Sequence, residues 1–330
     1  MSDLLTVRNL RVSLFDRGGQ VLAVRDLSLS IGAGEVVALV GESGCGKSVT
    51  ALALLRLLPD DARIEGSVEF GGEDLTRLPI KQLRAVRGSE IAMVFQEPMT
   101  SLNPSFTIGN QIIEVLRRHR GMRGREARAR AAELLRLVRI GAPEQRLRAF
   151  PHQLSGGMRQ RAMIAMALAC DPKLLILDEP TTALDVTTQA QILDIVRDLQ
   201  KRLGMSILLI THDLGVVADL ADRVVVMYAG AKVEDAEVHR LFAAPRHPYT
   251  AGLLRSLPGG GRRTGGGAER LAEIPGLVPV LRAPLDACAF APRCPRSTEQ
   301  CHQVAPVLEE IGADHSVACF HPEPVAVAPS

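Results

Sequence analysis

The chain has 330 residues, 46% of them apolar, which is long enough for two or three units and apolar enough for a sizeable core. Its 39 basic and 37 acidic residues leave a net charge of +2, tryptophan is absent and aromatics reach only 3%, so neither bulk charge nor stacking platforms point to a nucleic-acid partner. The start, MSDLLTVRNLRVSL, lacks the basic and apolar blocks of a signal peptide, and no apolar run approaches the roughly 20 residues of a membrane helix. The expectation is a cytosolic chain that meets a membrane through a partner.

In chain order, VVALV (Val36 to Val40) is a short continuous apolar run, the pattern of a parallel strand covered on both faces. A glycine-rich turn and VTALALLRLL follow, the latter reading as a helix. REARARAAELLRLVRI predicts a helix with an apolar stripe of Leu134, Leu135 and Val138 among many arginines. It belongs to a helical insertion over about residues 99–160, whose arginine-rich face either meets acidic lipid heads or nucleic acid or, as the favoured reading, is a solvated helix face. LLILD (Leu174 to Asp178) and SILLIT (Ser206 to Thr211) repeat the buried-strand pattern. Between them Ile192, Ile195, Val196, Leu199 and Leu203 recur at helical spacing, with Gly204 as a C-terminal stop. Strand, helix and strand in alternation predict an α/β core with a parallel sheet. PGGGRRTGGG predicts a flexible linker over 258–268, dividing a domain of residues 1–257 from a Pro- and Cys-rich extension of 269–330 without regular periodicity.

GESGCGKS, Gly41 to Ser48, fits G-x-x-x-x-G-K-[ST] between a strand and a helix. Gly41, Gly44 and Gly46 let successive N–H groups point at phosphate oxygens, and the next helix adds its positive end. Lys47 would reach the β- and γ-phosphates and the Ser48 hydroxyl would hold Mg²⁺, while Cys45 reads as a small filler rather than a nucleophile. LLILDEP places Asp178 and Glu179 at the C-terminal end of a buried strand, where ligand crevices open. Asp178 suits Mg²⁺, held through water, and Glu179 suits the attacking water. A strand merely ending in a charged turn would look the same, were it not for the phosphate loop. LSGGMRQR, Leu154 to Arg161, is a second serine–glycine turn opening a helix.

GESGCGKS, LSGGMRQR, LLILDEP and the histidine of THD, in that order, resemble the ATPase subunits of ABC transporters over residues 1–240. The resemblance implies a P-loop nucleotide-binding domain whose dimer buries two ATP molecules. The loop residues Gly41, Glu42, Ser43, Gly44, Cys45, Gly46, Lys47, Ser48 and Val49 of one subunit would face Ser155, Gly156 and Gly157 of the other. It further implies that Gln96 contacts water and Mg²⁺, that Asp185 lies at the dimer contact, and that Glu179 and His212 are catalytic. The residues alone leave Gln96 open as a surface glutamine, Asp185 as a helix N-cap and His212 as structural. Phe15 is the nearest candidate for stacking on adenine, with Leu14 as the other register. A soluble ABC ATPase of DNA repair or translation would carry a coiled coil or two fused cassettes, and an exporter half would carry membrane helices.

RHPYTAGLLRSLP, IPGLVP and CAFAPRCPRSTEQC resemble the C-terminal extension of importer ATPases for di- and oligopeptides, with nickel importers a related branch. The resemblance implies a second, related ATPase subunit, two transmembrane permease subunits and an extracytoplasmic solute-binding protein, at the cytoplasmic face of a bacterial membrane. Cys288, Cys294, Cys301 and Cys319 follow C-x5-C-x6-C-x17-C, the spacing of neither common zinc modules nor the usual ferredoxin run. The residues support a four-cysteine metal site, and the resemblance favours a [4Fe–4S] cluster. Zinc or two disulfides are the alternatives, with His302, His315 and His321 as substitute ligands.

Overall fold

The computed structural model describes residues 3–96, 101–182, 184–257 and 274–324, so the linker expected over 258–268 lies outside the described residues. In chain order the elements begin with β1 (Asp3–Asp16), β2 (Gly19–Gly32), β3 (Val36–Val40), α1 (Lys47–Leu54), β4 (Arg63–Phe70), β5 (Glu73–Asp74), α2 (Ile80–Val86) and β6 (Ile91–Val94). A helical stretch follows: α3 (Ile108–Arg120), α4 (Gly124–Leu137), α5 (Pro143–Arg146) and α6 (Gly156–Ala167). Then come β7 (Leu174–Asp178), α7 (Val186–Leu203), β8 (Ser206–Thr211), α8 (Leu214–Leu220), β9 (Arg223–Tyr228), β10 (Ala231–Glu237), α9 (Val238–Ala243) and α10 (Pro248–Arg255). The C-terminal extension adds α11 (Glu299–Gln303), β11 (Glu309–Gly312) and β12 (His315–Val317).

The described residues form two compact units, the first comprising Met1–Leu4, Ile31–Val36 and Arg77–Ile210. In it β6, β7 and β8 run parallel, with Ile91 opposite Leu174 and Leu174 opposite Ser206. Every residue of β7 and β8 is buried, as their unbroken apolar runs require. α7 buries Ile192, Ile195, Val196 and Leu199, and Gly204 caps it at φ 63°. Leu203, expected in the same stripe, stays exposed. Four arginines of the helical stretch are paired: Arg120 and Arg130 both meet Asp171 at 2.7 Å, Arg136 meets Glu144 and Arg139 meets Asp198. Pairs this exposed add little stability.

The second unit comprises Leu5–Ser30, Val37–Thr76 and Thr211–Ser330. Here β3 pairs parallel with β9, and β10 extends β9 antiparallel. The extension is more regular than its sequence suggests, because β12 adds to β10 and β11 folds back on β12. β1 pairs antiparallel with β4, and Arg282 of the extension grips Asp16 at the end of β1 through two bonds of 2.8 Å. α1 stops at Leu54, short of the expected run to Leu58, where Arg56 turns left-handed (φ 50°) shortly before Pro59.

One buried polar node fixes the start of α10. Glu234, fully buried, accepts from the N–H groups of Arg246 (2.6 Å) and His247 (2.9 Å) and pairs with His315 Nε2 at 2.8 Å. Burial lowers the His247 pKa from 6.5 to about 4, against a smaller opposing pull from Glu234. Between those values the unfolded chain binds a proton that the folded chain does not. Stability therefore falls as pH drops through that window, by roughly 3 kcal/mol from this group. Urea unfolding followed across the window should show the loss, and His247→Gln should flatten it.

Candidate nucleotide site

β3 is buried along its whole length and delivers the chain into the loop Gly41–Ser48. Gly41 (φ 152°) passes so close to β9 that a Cβ there would lie 2.3 Å from the Met227 carbonyl oxygen. Gly46 (φ 102°) caps α1 in the left-handed region, and its Cβ would lie 2.3 Å from the Ala23 carbonyl oxygen. No other residue type fits either position. Ser43 and Gly44 are exposed at the tip, while Ser48 and Val49 are half-buried in the first turn of α1. Lys47 is 5% exposed and donates from Nζ to the carbonyls of Gly41 (2.7 Å) and Glu42 (3.0 Å). Cys45 is fully buried and burial pushes its thiol pKa up, which suits a filler and not a nucleophile. A lysine held over a glycine loop at a helix start is a donor set for phosphate, so the residues fit a nucleoside triphosphate.

Also in the second unit, His212 is exposed directly before Asp213, which caps α8 by accepting from Gly215 N–H at 2.9 Å and Val216 N–H at 3.3 Å. Phe15 is 40% exposed on β1, with the Arg63 guanidinium 5.3 Å from its ring centre, and Leu14 is half-buried.

The first unit brings together a different set. Asp178 is buried at the end of β7, and Glu179 follows with φ 46°, turning the chain out of the sheet. Gln96 Nε2 donates to Glu179 Oε2 at 3.0 Å, and Thr182 Oγ1 donates to the same oxygen at 2.9 Å. The Asp178 carboxylate offers the hard oxygens that Mg²⁺ prefers. Ser155 and Gly156 are exposed at the start of α6, where Ser155 Oγ accepts from Met158 N–H at 3.3 Å. Gly157 abuts α7: a Cβ on it would lie 2.5 Å from Thr188 Cγ2. Thr188 in turn donates to Asp185 from both N–H (2.9 Å) and Oγ1 (2.7 Å), so Asp185 is the N-cap of α7.

Cys288, Cys294, Cys301 and Cys319 are free thiols lining one small cavity with His321 and Phe290. Burial raises the Cys288, Cys294 and Cys319 pKa values, that of Cys319 to about 11. The expected metal site needs correcting in one respect. Among the described residues no group of three or more His, Cys, Asp or Glu is placed to hold a metal ion, so neither the expected iron–sulfur cluster nor its zinc alternative has a ligand set there. Nor do the histidines all serve: His315 is committed to Glu234, and His302 Nε2 lies 3.0 Å from Ser297 Oγ.

Sequence reasoning missed two residues at the loop. The Glu42 N–H donates to the Tyr249 hydroxyl at 2.8 Å, and Arg293 grips the Glu42 carboxylate. Tyr249 lies in RHPYTAGLLRSLP, but no periodicity or spacing marks it or Arg293.

A phosphate loop accompanied in one chain by a second serine–glycine turn defines the ABC class of P-loop ATPase. The ABC transporter family profile matches residues 24–182, and the profile for the oligopeptide/dipeptide transporter C-terminal region matches 233–301. A probable peptide ABC transporter ATP-binding protein of Sinorhizobium fredii is 53% identical over 96% of this chain and 94% of its own length. The dipeptide transport ATP-binding protein DppD of Escherichia coli is 48% identical over 97% of both. A solved ATP-binding cassette, dimeric in a post-hydrolysis state and bound to ADP and Pi, superposes with a TM-score of 0.64 at 29% identity, covering 71% of this chain and 98% of that one. The chain belongs to the ATP-binding proteins of ABC transporters, in the oligopeptide/dipeptide group, and it is an ATPase. Among the described residues no helix is long and apolar enough to cross a membrane.

Because the Gly46 dihedral and its contact with Ala23 both exclude a side chain, Gly46→Ala should lower the thermal midpoint and weaken ATP binding together. Calorimetry and nucleotide titration of the variant check both.

Proposed function

We propose that the chain powers import of di- or oligopeptides as one of two ATPase subunits docked on two membrane-spanning permease subunits, with an extracytoplasmic solute-binding protein delivering the peptide. It would work at the cytoplasmic face of a bacterial membrane, held there by the permeases. The observation that carries this reading is full-length similarity, near 50% identity, to peptide-transport ATP-binding proteins, extending through the C-terminal region. A nickel- or metal-chelate importer would use the same ATPase, and uptake of labelled peptides separates the two. Loss of peptide uptake in cells lacking the chain supports the peptide reading, and unimpaired peptide uptake with lost metal uptake refutes it.

In the proposed cycle each ATP lies between Gly41–Ser48 of one subunit and the Ser155 turn of the other. The exposure of Ser155 and Gly156 at a helix start supports that role. Mg²⁺, held by Ser48, Asp178 and Gln96, would neutralise phosphate charge. Glu179 takes the proton of the attacking water, and the donors on its Oε2 from Gln96 and Thr182 fix its plane. His212 steadies the γ-phosphate, Asp185 links the active site to the dimer contact, and Phe15 stacks on adenine. Closure would move the permeases through a groove of about 1020 Å³ in the helical region, lined by Phe106, Arg117, Arg118, His119 and Met166. Glu179→Gln should keep ATP binding and lose about 10²-fold or more in turnover. Undiminished phosphate release would remove Glu179 from the role.

The four tail cysteines are proposed to hold a [4Fe–4S] cluster. Support comes from the four thiols, all free, lining one small cavity. Such a cluster would tie together an extension with little core of its own. Anaerobically purified protein should contain iron and sulfide and absorb in the visible. Stoichiometric zinc without iron would refute it.

A further inference from the structure

The second residue of the phosphate loop is held from the C-terminal side of the chain. Glu42 has its N–H on the Tyr249 hydroxyl (2.8 Å) and its carbonyl on Lys47 Nζ (3.0 Å). Its carboxylate oxygens accept from the two terminal nitrogens of Arg293 at 2.8 and 2.9 Å, a bidentate fork. Arg293 is no ordinary surface partner, since its side chain is only 6% exposed. Its remaining N–H groups go to the carbonyls of Pro275 (2.7 Å) and Ile274 (3.1 Å) and to the Tyr228 hydroxyl (3.3 Å). All five guanidinium donors are thus used, which leaves the group a single orientation. The guanidinium also lies 5.7 Å from the Tyr228 ring centre and 6.0 Å from that of Phe290, which lines the cysteine cavity.

We propose that Arg293 is a positioning residue of the ATP site, by which the C-terminal extension sets the conformation and charge of the phosphate loop. The proposal rests on Gly41–Ser48 being the phosphate cradle and deepens that reading. The physics has two parts. Held at both its N–H and its carboxylate, Glu42 fixes the loop's entry beside Gly41, so the loop need not be ordered when nucleotide arrives. Second, Glu42 is an anion on a loop that must receive a triphosphate, and the fork of Arg293 neutralises it. Without Arg293 the carboxylate would be both mobile and repulsive.

The test is ATP affinity of the full chain for four variants, with thermal unfolding in the absence of nucleotide as the folding control. Arg293→Gln should weaken ATP binding about tenfold, the scale of a charged hydrogen-bonded pair. Arg293→Lys keeps the charge without the fork and should fall between. Glu42→Gln removes the repulsive charge together with its partner's task and should weaken binding less than Arg293→Gln. In the Arg293→Gln, Glu42→Gln double variant the loss should be relieved, not added to. A merely structural arginine would not be rescued in this way. Wild-type affinity in folded Arg293→Gln, or a double variant whose losses multiply, overturns the proposal. If Arg293→Gln does not fold, Arg293→Lys takes its place in the same comparison, and wild-type affinity there overturns the proposal equally. Undiminished ATP binding in Lys47→Ala would instead overturn the cradle reading itself.

Discussion

A side chain at Gly46 would collide with the Ala23 carbonyl, and one at Gly41 with that of Met227. From that exclusion the nucleotide site follows. Only bare backbone can pass between β3 and α1 in so little room, and bare backbone is what can turn its N–H groups toward phosphate. The buried strand fixes where the loop begins, the helix fixes where it ends, and Lys47 is held over it by two of its carbonyls.

Much of this was legible in the sequence because the forces concerned are local. Val36–Val40, Leu174–Asp178 and Ser206–Thr211 read as strands since burial on both faces leaves no polar residue in them but the ends. Gly204 and Asp185 read as helix ends because the backbone there needs a left-handed residue and an acceptor. What escaped is non-local. Arg293 and Glu42 meet across 251 positions, and nothing in either segment's composition signals the other. The β11–β12 hairpin stayed hidden because its strands are only four and three residues long and β12 gains its register from β10. Leu203 followed the helical period, yet the last turn of α7 runs past the surface it packs on. Of the acidic partners of Arg120, Arg130, Arg136 and Arg139, Asp171 and Asp198 lie outside the helical region and could not be read from its own sequence.

The chemistry divides in an instructive way. The carboxylate of Glu179 is oriented within its own unit by Gln96 and Thr182, and Gly157 after the Ser155 turn lies against Thr188, which is bonded to the N-cap Asp185. The turn itself, however, presents its serine and first glycine to solvent. In the proposed account this exposed polar helix start receives an anion held elsewhere. In the proposed assembly that anion is the γ-phosphate in a second subunit. The C-terminal extension reaches the loop through Arg293 on Glu42, and separately grips the end of β1 through Arg282 on Asp16.

The most direct measurement of the central claim is a crystal structure of the chain with Mg²⁺ and a slowly cleaved ATP analogue. The account predicts two protomers with each nucleotide between Gly41–Ser48 of one and Ser155–Gly157 of the other. A single protomer enclosing its nucleotide unaided, with the Ser155 turn still facing water, would contradict it.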